Sequence, residues 1–273
     1  MFSRMKVLSA YLLALTAIAL LPAPVLWAAE AEYSQSATNT PRNPGSVDLR
    51  PEFEKYDLTP QRQGSRPTCS VFTIASALEF AIARHEGQTP RLSPEFLNWA
   101  ANQERGFNGD GGFFSDLLKG FTTHGICAES NMPYASAFDA KRQPEDAAVT
   151  NAKLRASLGL NQHWIKKWNV KTGLTEDEFS VIKRTLEQGW PVCAGMRWPK
   201  NEKWIEHVLQ PCPATEVFDG HSVLLLGWRD DSTQPGGGVF FIRNSGPGMD
   251  NGQMPYAYAR EFMNDAVWVD GGH

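Results

Sequence analysis

A polar loop runs directly into an apolar helical segment at Gln63-Gly64-Ser65-Arg66-Pro67-Thr68-Cys69-Ser70-Val71-Phe72, and a cysteine lies at the junction. From Cys69 to about His85, apolar residues recur with the period of a helix, and Thr68 is a favourable N-cap residue. Cys69 is therefore expected in the first turn of a helix, where free backbone N–H groups and the helix dipole favour the nucleophilic thiolate. Taken alone, the pattern also fits a cysteine that merely packs at the start of a buried helix.

Each of two later segments has a polar side chain at one end of an apolar strand. The segment Asp219-Gly220-His221-Ser222-Val223-Leu224 has a histidine at the start of the strand, and Phe240-Phe241-Ile242-Arg243-Asn244-Ser245 has an asparagine at the end of the next one. By itself, an asparagine at such an exit is an ordinary turn residue. The chain thus presents Cys69, then His221 about 150 residues later, then Asn244, with Gln63 six residues before the cysteine.

This order and spacing resemble the papain-like cysteine peptidases. That family has the pattern Gln-Gly-x-x-x-x-Cys, then His-[Ala/Ser]-Val on a strand, then an apolar strand that ends in Asn-Ser. The corresponding residues are Gln63-Gly64 before Cys69, His221-Ser222-Val223, and Asn244-Ser245. The resemblance extends over about residues 46–269.

The resemblance implies an α+β fold with two lobes and an active site in the cleft between them. The peptidase domain would span residues 47–273. The helical lobe would take about residues 60–160, and the β-rich lobe, antiparallel and barrel-like, about residues 161–269 together with the opening strand 47–50. A histidine from one lobe would thereby meet a cysteine from the other.

The resemblance also implies a role for each of four residues. Cys69 would be the nucleophile and His221 the base, forming an imidazolium beside the thiolate. Asn244 would orient the imidazole ring, as the acid does in a serine triad. Gln63 and the backbone N–H of Cys69 would bind the oxyanion, and one such donor is commonly worth about 10²–10³ in rate.

A glycine-rich turn at residues 108–114 is expected to contact the substrate, although such glycines alone also fit simple loop geometry. The family pattern transfers a substrate-binding role to Gly111, Gly112, Phe113, Gly195 and Ser222. These residues predict a roomy, uncharged pocket that favours leucine or phenylalanine at the second position before the scissile bond. Trp164 and Trp168, from a polar segment, are expected to pack in the core.

Three positions depart from the family pattern. Ser70 replaces the aromatic residue that usually follows the nucleophile, and Gly246 replaces a tryptophan that shields the Asn–His hydrogen bond from water. Arg66 stands where the family has a cysteine that forms a disulfide. An unshielded Asn–His hydrogen bond would be weaker, so the turnover rate is in question more than the fold.

Two other functions are compatible with the same residues. A binding or regulatory protein could retain the fold and lose useful activity, which the missing tryptophan favours and the intact Cys, His, Asn and Gln oppose. An amidase or transpeptidase could use the same residues for other acyl-transfer chemistry. The cysteine endopeptidase accounts for the motif most directly.

The N-terminal segment has the layout of a secretory signal peptide, which predicts a secreted or periplasmic protein. Arg4 and Lys6 precede an apolar run from Val7 to Leu21, and the small residues Ala28-Ala29 follow at the expected cleavage site. An uncleaved membrane anchor is the alternative. Residues 1–28 carry two basic and no acidic groups, so their removal lowers the formal net charge from −4 to −6. Residues 29–46 are polar and are interpreted as a flexible lead-in, which leaves no room for a large inhibitory prodomain.

The composition and the cysteine count limit the classes of partner and the disulfides that the protein can have. The acidic balance and the lack of a basic patch exclude nucleic acid, no Cys/His spacing is typical of a zinc site, and no cofactor is expected. We expect a monomer that acts on peptides or proteins. Of the four cysteines, a free Cys69 leaves Cys127, Cys193 and Cys212, and the pair Cys193–Cys212 is the expected disulfide.

Overall fold

Helices come mainly from the first half of the chain and strands mainly from the second. The computed structural model describes residues 45–88, 91–246 and 250–271. The helices are α1 (Arg50–Lys55), α2 (Cys69–Glu86), α3 (Pro94–Arg105), α4 (Phe114–His124), α5 (Asp146–Ala156), α6 (Glu176–Glu187) and α7 (Tyr256–Phe262). The strands are β1 (Ser46–Asp48), β2 (Asn161–Lys166), β3 (Val192–Pro199), β4 (Trp204–Ile205), β5 (Val208–Leu209), β6 (Val217–Asp230), β7 (Gly238–Arg243), β8 (Asn251–Pro255) and β9 (Met263–Asp270).

The segments proposed as signal peptide (1–28) and as most of the lead-in (29–44) lie outside the described residues. Within the described part of the chain, no helix is both long and apolar enough to cross a membrane.

Helix α2 is the centre of the structure. Every residue from Cys69 to Ala83 on it is buried, which fits a predominantly apolar helix. It ends at Gly87, which has a positive φ of 78° and serves as the left-handed C-cap. Burial on every side fixes the helix axis, so the position of Cys69 at its N-terminus is fixed as well.

The strands form one mixed, mainly antiparallel sheet in the order β2-β9-β3-β6-β7-β8-β5-β4, with β1 paired to β6. The predicted α+β class is confirmed, but the sheet is open and does not close into a barrel. Strand β5 pairs with β8 in parallel through Val208 and Gln253, and β4 pairs only with β5, so this end of the sheet remains an edge.

Alternation along the strands fills a separate core on each face of the sheet. Leu224 and Leu226 of β6 face the cluster that contains helices α2 and α4, while Val223 and Leu225 face the cluster beneath α6 and α7. The sheet is therefore covered by helices on both sides. The N-terminus of α2 lies beside the start of the apolar part of β6, at the edge of the first of these two clusters.

Several helix boundaries follow the sequence closely. Ser93 caps α3 by accepting a hydrogen bond from the Phe96 N–H at 3.0 Å, and Thr175 with Glu178 forms the capping box that begins α6. The opening strand is shorter than predicted, because Pro51 lies in the first turn of α1 and the chain is already helical at Arg50.

Candidate active site

Cys69 is the first residue of α2, and its side chain is 8% exposed. Thr68 occupies the N-cap position but makes no capping hydrogen bond. Its hydroxyl instead lies 2.6 Å from the Tyr134 hydroxyl. The backbone N–H groups at the start of α2 therefore have no side-chain cap, which leaves them able to stabilise negative charge beside Cys69.

His221 lies on β6 and lines the same cavity as Cys69, which has a volume of about 370 Å³. The Cys69 thiol contacts the residue directly before this histidine, with 3.7 Å between Sγ and the Gly220 carbonyl oxygen. The structure thus brings the predicted nucleophile and base to one cavity, although they are 152 residues apart in sequence.

Asn244 lies directly after β7 and is 3% exposed. Its Oδ1 is 3.0 Å from His221 Nε2 and also accepts a hydrogen bond from the Gly246 N–H at 3.0 Å. Because Oδ1 can only accept, His221 Nε2 carries the proton, and the neutral ring has its lone pair on Nδ1. Asn244 therefore fixes both the orientation and the tautomer of the ring.

Gln63 is buried and is held by the Asn-Ser segment that follows β7. Its Oε1 accepts a hydrogen bond from Ser245 Oγ at 2.9 Å, and its backbone N–H bonds to the Ser245 carbonyl at 2.9 Å. Gln63 Nε2 donates one hydrogen bond to the Arg66 carbonyl at 2.9 Å. An amide nitrogen has two N–H groups, and the described hydrogen bonds of Gln63 Nε2 use one of them.

Burial shifts the pKa of both central groups toward the neutral form. Burial raises the pKa of the Cys69 thiol, although hydrogen bonds from the Ser222 and Ser70 backbone act against this. Burial lowers the pKa of His221 to about 4, although its hydrogen bond with Asn244 acts in the opposite direction. The unliganded site therefore favours a thiol beside a neutral imidazole, rather than the ion pair expected from the sequence.

The glycine-rich turn packs against the loop that carries Cys69. Gly111 has a φ of 69°, and a Cβ there would lie 2.5 Å from the Pro67 carbonyl oxygen, so only glycine fits. The Gly112 N–H donates to Ser70 Oγ at 3.2 Å. Ser70, which replaces the aromatic residue of the family pattern, thus ties the glycine turn to the start of α2.

Solved structures of cysteine proteases share this architecture. Xylellain, a cysteine protease from Xylella fastidiosa, matches with 21% identity and a TM-score of 0.64 over 84% of this chain and 87% of that chain. The proform of Amb a 11, a ragweed pollen allergen and cysteine protease, matches with 18% identity and a TM-score of 0.62 over 86% and 69%. Procathepsin L 3 from the larval midgut of Tenebrio molitor matches with 17% identity and a TM-score of 0.58 over 83% and 69%.

The protein has the papain-like fold. No protein-family model matches the chain, and no curated protein matches it in sequence. The papain-like fold is thus found here through structure, at identities of 17–21%.

Arg66, at the position of the papain-like disulfide cysteine, is 4% exposed and forms two ion pairs. Its guanidinium lies 2.5 Å from Glu95 of α3 and 2.6 Å from Asp110 of the glycine turn. Burial opposes the charge of Arg66, but hydrogen bonds to Asp110 and Glu95 outweigh it and raise the pKa of Arg66. These ion pairs connect the same loop that the papain-like disulfide would connect.

Trp198 of β3 lies against His221, with ring centroids 4.5 Å apart. It is buried, and its indole N–H donates to Glu202 at 2.9 Å. The papain-like tryptophan after the asparagine is replaced by Gly246, where a Cβ would lie 3.4 Å from Asn244 Oδ1. The histidine therefore has an aromatic neighbour from a different strand, which the sequence motif did not indicate.

The predicted Cys193–Cys212 disulfide is wrong, because all four cysteines are free. Cys193 is fully buried on β3 in the core beside α2, and its thiol lies 3.7 Å from the Thr73 carbonyl. Cys212 packs instead against the cluster on the other face of the sheet. The alternation of β3 turns Cys193 away from that face.

The substrate-binding residues predicted from the sequence share the cavity with Cys69, but the cavity is not uncharged. Its walls include all five of them, Gly111, Gly112, Phe113, Gly195 and Ser222. Asp265 of β9 also lines it, because β9 pairs with β3 and places Asp265 opposite Gly195. Trp168 was expected in the core, yet it is 51% exposed and lies at the cavity rim. The sequence carried no signal for either residue.

Proposed function

We propose that the protein is a cysteine endopeptidase that cleaves peptide bonds through an acyl-enzyme formed on Cys69. The observation that carries the proposal is the hydrogen bond between Asn244 Oδ1 and Nε2 of His221, which lines the same cavity as Cys69. That bond orients Nδ1 as the free base of the ring. The papain-like fold and the cysteine protease neighbours support the same chemistry.

In the acylation step, Cys69 Sγ attacks the carbonyl carbon of the scissile peptide bond. His221 Nδ1 takes the thiol proton as the S–C bond forms, and the carbonyl oxygen becomes an oxyanion. An N–H of Gln63 Nε2 and the backbone N–H of Cys69 stabilise that oxyanion. His221 then gives its proton to the amine, the C–N bond breaks, and a thioester remains on Cys69.

In the deacylation step, a water molecule attacks the thioester. His221 accepts a proton from the water and returns it to the departing sulfur, which releases the acid product and restores the thiol. The same two donors stabilise the second oxyanion. Since burial favours the neutral forms of Cys69 and His221 at rest, we expect the proton transfer to accompany the attack.

Replacements of His221 and Asn244 should reduce the activity to different extents. His221→Ala removes the base and should abolish hydrolysis of a fluorogenic peptide, whereas Asn244→Ala removes only its orientation and should leave residual kcat. Cys69→Ala should be inactive and should fail to bind a peptide epoxide covalently, as shown by intact mass. Near-full activity of His221→Ala, or epoxide labelling of Cys69→Ala, would contradict the proposal.

We also propose that the protein is exported. The support is the pattern of residues 1–28, with two basic residues before an apolar run. Fusion of residues 1–32 to a reporter that folds only after export should give active reporter, and replacement of Arg4 and Lys6 by glutamate should reduce it. Equal reporter activity from both fusions, or none from either, would count against export through this segment.

A further inference from the structure

The cavity beside Cys69 contains a buried carboxyl group that the fold leaves without an ion-pair partner. Asp265 is 4% exposed, and its Oδ1 has no hydrogen-bond partner among the described residues. The nearest basic group that influences it is Lys166, whose Nζ bonds instead to Glu178 at 3.3 Å and Thr172 at 3.2 Å. Burying a carboxylate without a partner is costly, so a structural role alone does not explain Asp265.

Gly195 leaves open the space in front of this carboxyl group. It lies opposite Asp265 on the neighbouring strand, and a Cβ there would come within 3.0 Å of the Asp265 Cβ and 3.7 Å of its Oδ2. Any larger residue at position 195 would therefore fill the approach to Asp265. With glycine there, a group that enters from the cavity can reach the carboxylate.

The other charged groups of the cavity are already compensated. Asp110 is paired with Arg66 at 2.6 Å, and Asp116 lies beside Arg105, whose guanidinium also bonds to the Gly109 carbonyl at 3.2 Å. These two pairings leave Asp265 as the carboxyl group without a counter-charge among the described groups that line the cavity. His221, the remaining titratable group of the cavity besides Cys69, belongs to the catalytic pair.

An aromatic pair stands at the cavity rim. Phe113 and Trp168 are 50% and 51% exposed, and their rings make an edge contact with centroids 5.0 Å apart. Exposed aromatic faces attract guanidinium and ammonium groups and also cover the methylene groups of long basic side chains. The rim therefore suits the same side chains as the carboxylate inside.

We propose that Asp265 is a specificity-determining residue that binds a positively charged substrate side chain, arginine or lysine, in the cavity beside Cys69. The inference rests on the proposed peptidase function and names its substrate class. The cation would supply the partner that Oδ1 lacks, while its methylene groups pack against Phe113 and Trp168. By the papain-like pattern, this is the side chain of the second residue before the scissile bond.

The sharpest test compares arginine with citrulline, its uncharged isostere, at that position of otherwise identical fluorogenic peptides. The wild-type protein should cleave the arginine peptide with a kcat/KM on the order of 10- to 100-fold higher, the range of a hydrogen bond to a charged group. Asp265→Asn keeps the size and removes the charge, so the ratio should fall to about one. Asp116→Asn, which removes another carboxyl group of the cavity, is the matched control and should keep the wild-type ratio.

The pH dependence of the same ratio supplies a second measurement that needs no variant. Burial raises the pKa of Asp265 to about 7, although the Ala266 N–H and Lys166 act in the opposite direction. The arginine-to-citrulline ratio should therefore be larger at pH 8 than at pH 5.5. Titration of Cys69 and His221 affects both peptides equally and cancels in the ratio.

A binding measurement separates this inference from the proposed function. In Cys69→Ala protein, calorimetry with the two peptides should show tighter binding of the arginine peptide, and the difference should disappear in the Cys69→Ala/Asp265→Asn protein. That result supports the inference even if the wild type hydrolyses neither peptide, which would defeat only the peptidase. Equal cleavage or equal binding of the two peptides, or a preference that survives Asp265→Asn, overturns the role of Asp265.

Discussion

Asn244 illustrates how one side chain sets the chemistry of two others. Its Oδ1 accepts hydrogen bonds from both the His221 ring and the Gly246 N–H, so the amide cannot rotate without losing two bonds. Ser245, the next residue, holds Gln63 in the same way. His221 and Gln63, the proposed base and oxyanion donor, are therefore both positioned by two consecutive residues after β7, which explains why the Asn-Ser pair was informative in the sequence.

The protonation state of Cys69 can be measured by alkylation. Because burial raises the pKa of Cys69 and lowers that of His221 to about 4, the rate of reaction with iodoacetamide should rise steadily into the alkaline range. The measurement is best made in a Cys212→Ser background, since Cys212 is the one cysteine that is not buried. A rate plateau from about pH 5 to 8 would show instead a preformed thiolate–imidazolium pair.

Trp198 should act as a positioning residue for His221. Its ring lies against the histidine, so Trp198→Ala should admit water and loosen the imidazole, and we expect kcat to fall by about 10-fold with KM little changed. Trp198→Phe retains an aromatic face and should recover most of the rate. An equal loss in both variants, or a change confined to KM, would argue for a merely structural role.

At the scale of elements, the sequence predicted those whose signals are local. The helical period of α2 lies within its own segment, and its predicted bounds, Cys69 to about His85, are close to those observed. Helix α5 was missed because its apolar pattern is weak, and β8 because Gly252 and Pro255 are turn residues that only pairing with β7 holds extended.

The predicted catalytic residues have local sequence signals, whereas the residues of the far wall of the cavity do not. Cys69 and Asn244 each stand at an element boundary, and His221 lies just before the apolar run within β6, whereas Asp265 reaches the cavity through the pairing of β9 with β3. Non-local pairing of this kind leaves no periodic trace near the residue itself. Arg66 was likewise read only as a missing cysteine, since its partners Glu95 and Asp110 are 29 and 44 residues away.

The ion pairs of Arg66 join the loop before α2 to α3 and to the glycine turn. Arg66→Met would leave buried Asp110 without its counter-charge and buried Glu95 with only Arg142, at 3.8 Å, so we expect the free energy of unfolding to fall by about 3–5 kcal/mol. Arg62→Met is the control, because Arg62 pairs with Asp250 at the surface and should change stability by less than about 1 kcal/mol. Urea unfolding measures the unfolding free energy of both variants. Equal small losses would show that the ion pairs of Arg66 contribute little to stability.

At the scale of the whole molecule, the site is where the two halves of the chain meet. Helix α2 supplies Cys69, while β6 and the end of β7 supply His221 and Asn244. The first hydrophobic cluster contains residues of both α2 and β6, so the packing that stabilises the fold also sets the distance between Cys69 and His221, the proposed nucleophile and base. Substitutions deep in this cluster are expected to reduce activity before they unfold the protein.

The pH dependence of the unfolding free energy should report the raised pKa of Asp265. Its folded pKa of about 7 lies above the unfolded value of 3.8, so its protonated form stabilises the fold and this contribution is lost as pH rises from about 4 to 7. Relative to the wild type, Asp265→Asn should gain roughly a few kcal/mol in unfolding free energy between pH 4 and pH 8. His221 acts in the opposite direction, with stability lost as pH falls from 6.5 to about 4, but it is common to both proteins. A constant difference across this range would show that Asp265 is ionised throughout.

Ion pairs of Arg66, and not a disulfide, hold the loop before α2, and this affects how the protein responds to reducing agents. A cysteine nucleophile needs reducing conditions to escape oxidation, and such conditions threaten any disulfide nearby. Here Arg66 holds the loop through Glu95 and Asp110, and all four cysteines are free, so a reductant that protects Cys69 has no sulfur bridge to cut. Because no disulfide supports the fold, we expect it to keep its shape under reducing conditions.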